Sequence, residues 1–129
     1  MKILNSKFQE QKDNLEITEP LDGHIESFIL QLNENDNIVT SYSCEGLDEN
    51  EEPEDDGHSV HAYFSINVSK GYWDFIWSTL IPDLMLECDV KISTNCYEEA
   101  IFFHAISANQ KYKFWDAVFK VFKNYDIIA

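Results

Sequence analysis

The sequence predicts an α+β fold: a two-layer sandwich whose antiparallel sheet comes from two strand–strand–helix units, with helices on one face. Three observations lead there. Val60, Ala62, Phe64, Ile66 and Val68 alternate with His61, Tyr63, Ser65 and Asn67, which is the period of a half-buried strand. Elsewhere apolar residues recur at helical spacing. Finally, Tyr63-Phe64 followed by Tyr72-Trp73-Asp74 is echoed by Phe102-Phe103 followed by Phe114-Trp115-Asp116, with three more residues between. Two copies are too few for a solenoid, but they can pair into one sheet. The 129 residues are the size of a single domain, 1–129.

Each element has its own signal. Residues 1–20 carry no clear period, and Asn14 to Thr18 is the best short edge strand. Ile25, Phe28, Ile29 and Leu32 line one face of a helix over about 22–33, with Asp22 as N-cap. Asn33-Glu34-Asn35-Asp36-Asn37 is turn chemistry, and a strand follows over about 37–44. Cys44-Glu45-Gly46 leads into an acidic loop, about 45–58, and then a strand over about 59–68. Trp73, Ile76, Trp77 and Leu80 predict a helix over about 70–82, with Pro82 as its stop. Leu86, Cys88, Val90 and Ile92 alternate with polar residues, predicting a strand over about 85–94. Asn95 to Glu99 turns the chain into a partner strand over about 99–107. A last helix over about 110–125 carries Phe114, Val118, Val121, Phe122 and Tyr125 on one stripe.

The charge is unevenly placed. The net charge is −15, from 24 acidic residues and 9 lysines, with no arginine. Asp13 to Ser69 contains fifteen acidic residues and no lysine, so this one stretch carries the whole net charge. Asp48, Glu49, Glu51, Glu52, Glu54, Asp55 and Asp56 crowd around Pro53 within it. Such a run is either a solvated loop or an electrostatic surface for a basic partner. A field of this sign, without guanidinium groups, is badly suited to gripping nucleic-acid phosphates.

Candidate chemistry is sparse. Four isolated glycines form neither a dinucleotide fingerprint nor a phosphate loop, and the acidic run lacks the ligand spacing of an EF-hand. Cys44, His58 and His61 are the best metal candidates, with Asp55 or Asp56 beside them. Sulfur and two imidazoles suit zinc, whereas chance clustering in a polar loop needs no metal at all. Cys96 beside Tyr97, with His104 on the next strand, offers a thiolate–imidazole pair on paper, although isolated cysteines at strand ends are more often inert. No catalytic residue and no cofactor is therefore expected. Three cysteines, Cys44, Cys88 and Cys96, make a poor disulfide framework, so free thiols and a cytoplasmic address are expected. No apolar run approaches the roughly 20 residues of a membrane span.

Ile38-Val39-Thr40-Ser41-Tyr42-Ser43-Cys44-Glu45-Gly46, followed by a loop and Ala62-Tyr63-Phe64, resembles a motif of small bacterial and phage proteins. Those proteins show a strand ending in Thr-x-x-Ser-Cys-x-Gly and then an aromatic strand. The Ser-Cys-x-Gly turn is more distantly similar to that of the wybutosine-synthesising tRNA methyltransferases. Members carry His or Arg after the glycine, where this chain has Leu47. The resemblance spans residues 24–68 and implies a small RNA- or nucleotide-directed enzyme built around Ser43, Cys44 and His61. The physical role of the motif needs no catalysis, since Gly46 allows a sharp turn and Ser43 or Cys44 can satisfy its backbone.

In size and charge the chain resembles immunity proteins of toxin systems and phage anti-defence proteins. The expected function is therefore inhibition: a basic toxin or nuclease masked by Asp48, Glu49, Glu51, Glu52, Glu54, Asp55 and Asp56, with Tyr42 and Tyr63 as aromatic anchors. Direct nucleic-acid and membrane contact are not expected. The alternatives are the RNA-directed enzyme and a structural homodimer.

Overall fold

The computed structural model describes residues 7–15, 23, 25–46, 61–95 and 99–129. The elements run α1 (Phe8–Asp13), α2 (Glu26–Glu34), β1 (Ile38–Cys44), β2 (Tyr63–Val68), α3 (Lys70–Phe75), a π-helical stretch (Ile76–Leu80) and α4 (Ile81–Glu87). They continue as β3 (Val90–Asn95), β4 (Ala100–Ala105), a 3-10 turn (Ala108–Gln110) and α5 (Lys111–Asn124). Four antiparallel strands form one sheet in the order β1-β2-β4-β3. The fold is α+β, and the two strand–strand–helix units meet through β2 and β4.

The join between the units falls where the internal repeat puts it. Phe64 and Phe103, equivalent in the two copies, are direct cross-strand partners. Their rings stack at 4.7 Å with planes 1° apart. A parallel, offset aromatic pair of this kind adds about 0.5–1.5 kcal/mol beyond the area it buries. Around them lies the core. Phe28 of α2 meets Phe64 edge-on at 5.2 Å, and Phe122 of α5 packs on both Phe64 and Phe103. Ile76, Leu80 and Leu84, from the chain between β2 and β3, are fully buried in the same cluster.

That middle helix corrects the expectation at Pro82. The chain stays helical through Glu87, and the predicted strand over 85–94 shortens to Val90–Asn95. A proline ring clashes with the carbonyl four residues back and cannot donate to it. Here the wider π turn comes just before Pro82, which then takes one of the first positions of α4, where its missing N–H costs least. Leu86 misled the alternation, because it is 86 % exposed on the outer side of α4.

The amino-terminal region departs further. Asn14 caps α1, and the Leu15 amide bonds back to the Lys12 carbonyl, so neither is strand; residues 16–18 lie outside the described ones. α1 shows no helical period because Phe8 is its single buried side chain. Its Gln11 accepts a 2.8 Å bond from the Asn67 amide, and Asn67 alternates with the core residues Ile66 and Val68. α1 therefore reaches the sheet face opposite the main core. That contact explains why Asn67, on the polar side of β2, is fully buried. α2 begins at Glu26, and the expected cap Asp22 lies outside the described residues, as do Val60 and the acidic residues 48–56.

Candidate functional site

The half of the outer sheet face away from Asn67 carries a grouped set of chemical side chains. Register places Cys44, Tyr63, His104 and Lys91 as successive cross-strand partners, one from each of β1, β2, β4 and β3. Side chains that face one another across a ladder share a face, so these four form a row. A second row runs beside it through Tyr42, Ser65, Phe102 and Ser93.

Tyr42 reaches that row through a bulge. The β1–β2 register passes from Thr40↔Ile66 to Ser43↔Phe64, so Ser41 and Tyr42 together oppose Ser65. An extra residue breaks the ladder and re-aims the bulged side chains. The Ser65 hydroxyl repairs the break by accepting the Tyr42 amide at 3.0 Å. Being small, Ser65 also leaves space above it, and there Tyr42 stacks on Phe102 at 6.1 Å with planes 17° apart. Phe102 stacks in turn on His104 at 5.7 Å and 12°, while Tyr63 packs against both. Tyr42 is 47 % exposed, and Tyr63, Phe102 and His104 are half-buried. The result is an aromatic platform open to solvent at its Tyr42 end.

The turn that closes β1 is held rigidly. Gly46 sits at φ +94°, and a Cβ there would lie 2.8 Å from the Ala62 amide nitrogen. Glycine is needed both for the left-handed backbone and for the close approach. The Glu45 carbonyl accepts the indole N–H of the buried Trp115 at 2.9 Å, which ties the turn to α5. The Ser-Cys-x-Gly segment thus has a structural task at Glu45 and Gly46.

Burial shifts the titrating groups of the platform. His104 is held below the ordinary imidazole value, first by desolvation and then by Lys91 and His61. Its Nε2 lies 3.4 Å from the Ser93 hydroxyl. The Tyr63 phenol is pushed up, by burial first and by the Cys44 thiol second. Lys91, the one lysine of the two rows, stands on the far edge of the sheet.

The sequence-derived candidates are therefore sorted by position. Tyr42 and Tyr63 come together on one surface, joined by Phe102. Cys44 borders it, whereas Cys96, the thiol set beside His104 in the sequence, lies outside the described residues, so that pair is not placed. Neither Cys44 nor Cys88 forms a disulfide. Among the described residues, no three His, Cys, Asp or Glu side chains are gathered as a metal ion would require. His58, Cys96, Asp48, Glu49, Glu51, Glu52, Glu54, Asp55 and Asp56 lie outside the described residues. Among the described residues, no helix is long and apolar enough to cross a membrane. Sequence reasoning passed over Phe102 as a surface residue. Its signal was the repeat itself, which makes Phe102 the counterpart of Tyr63 and so places both on the outer face. Compared with protein-family models, curated proteins and solved structures, the chain matches none.

Proposed function

We propose that this chain is an acidic, non-enzymatic binding protein of the cytoplasm, an inhibitor of immunity or anti-defence type that masks the basic surface of a toxin, nuclease or other nucleic-acid-handling partner. The observation that carries the reading is the convergence of Tyr42, Tyr63, Phe102 and His104 on one solvent-facing half of the sheet. A monomeric enzyme has little use for such a surface outside a cleft, whereas interfaces concentrate their energy in aromatic anchors. The net charge of −15 supplies the complementary term, since it accelerates encounter with a positive surface.

One observation favours a second reading. Stacked aromatics on an open sheet, with Lys91 at the end of a row, are also how single-stranded RNA is held. The overall field opposes it, because every phosphate brought to the surface meets a net negative molecule.

The deciding experiment isolates the partner from the native host and measures association at low and high salt. It compares the native protein with a variant neutralised at Asp48, Glu49, Glu51, Glu52, Glu54, Asp55 and Asp56. The expected result is a slower on-rate for the variant at low salt, with the difference closing as salt rises, because exposed charges are screened beyond about 8–10 Å. An on-rate unchanged at low salt returns the acidic run to the role of a solvated loop.

A further inference from the structure

The Tyr42 end of the platform is specific in what it can receive. β1 is an edge strand of the β1-β2-β4-β3 sheet, so among the described residues no further strand lies beyond Tyr42 on that side. The Phe102 ring lies nearly parallel to the Tyr42 ring with centroids 6.1 Å apart, and 47 % of Tyr42 remains exposed. Lys91 stands three strand spacings away on the opposite edge, about 14 Å at the backbone, and does not oppose a cation at Tyr42. His104, nearly parallel to Phe102 at 5.7 Å, is held below the ordinary imidazole value by burial, so its neutral form is favoured around neutral pH. An exposed, electron-rich ring backed by a second ring, on a molecule of net charge −15, is complementary to a flat cation.

We infer that the Tyr42–Phe102 end of the sheet receives arginine side chains of the protein partner, in preference to lysine. This rests on the binding reading above and adds the chemistry of the group recognised. A guanidinium is planar, delocalised and weakly hydrated, so it stacks on a ring face at little cost, whereas an ammonium keeps its water and meets the ring as a point charge. A second copy of this chain cannot supply the group, because the sequence contains no arginine. The occupant is therefore a different protein with an arginine-rich surface.

The test uses two synthetic peptides of nine residues, one all arginine and one all lysine, titrated into the full chain at physiological salt. Both carry the same charge, so the long-range field acts equally on each. The expected result is tighter binding of the arginine peptide by about two- to fivefold, the size of an exposed cation–π contact. Tyr42→Leu should abolish the preference while leaving lysine-peptide affinity in place, and Tyr42→Phe should keep it. Tyr42 is half exposed, so both variants are expected to fold, and a urea midpoint within error of the native one checks that. Equal affinity for the two peptides, or a preference that survives Tyr42→Leu, overturns the arginine inference and leaves the charge-based reading standing. Binding of neither peptide overturns both. A uridine oligonucleotide that binds more tightly than either peptide also overturns both, in favour of nucleic acid.

Discussion

Gly46 shows how much a single position can carry. Its φ of +94° and the 2.8 Å approach of a would-be Cβ to the Ala62 amide are independent penalties on any side chain. Gly46→Ala is expected to destabilise the fold by about 1–3 kcal/mol, read as a lower urea midpoint with an unchanged slope. His104 sets a second expectation. Because its folded pKa is depressed, the folded state binds fewer protons than the unfolded one between that value and the ordinary 6.5. Stability from this group is complete above 6.5 and is lost as pH falls through the folded value. Urea midpoints measured downward from pH 7 should show the loss, and His104→Gln should remove part of it. If the two proteins fall in parallel, the imidazole is not responsible.

At the scale of elements, β1 illustrates how an edge strand is kept from pairing with another chain. The outer amide of Thr40 donates to the Asn33 side chain at 3.0 Å, and the Ile38 carbonyl accepts from the Lys12 ammonium at 2.5 Å. The same ammonium reaches the Asn33 and Asn35 carbonyls at 2.6 and 2.9 Å, closing the end of α2. A cation at a helix carboxyl end satisfies orphan carbonyls and meets the favourable end of the dipole. Lys12→Met keeps the stem and removes the charge, and should cost about 1–3 kcal/mol because it leaves carbonyls unpaired. It should also raise the tendency to associate through β1, visible in light scattering. The bulge at Ser41 and Tyr42 works in the same direction, twisting the edge while presenting Tyr42 outward.

For the whole molecule, the charge and the platform do separable work. The field acts at a distance and on rates, while the rings act in contact and on lifetimes. Neutralising the seven acidic residues from Asp48 to Asp56 is expected to lower the on-rate and leave folding intact, since a run of like charges contributes repulsion. Tyr63→Ala should act mainly on the off-rate of the same complex. Surface plasmon resonance on both variants separates the two, and matching effects on one rate constant would show that charge and platform are not separable.

Much of this was legible in the sequence, for a definite reason. The period-two pattern around Phe64, the helical stripes of α2 and α5 and the internal repeat each depend on near neighbours or on a copied pattern. They are enough to determine an antiparallel sheet of two strand–strand–helix units, and to place Tyr63 on the outer side of β2. The helix beyond Pro82 was not legible, because a π turn relieves a clash that residue type alone predicts to be terminal. Nor was α1, whose hold on the fold rests on Gln11 and Lys12 bonding to residues 21 to 56 positions away. The platform was half legible. Its Tyr42 and Tyr63 stood out as aromatics beside an acidic run. The union of Tyr42 with Phe102 depends on a one-residue bulge and on Ser65 being small enough to let two rings meet above it. Register and bulges are set by how strands from distant parts of the chain pack together, so the binding surface was decided by the tertiary structure.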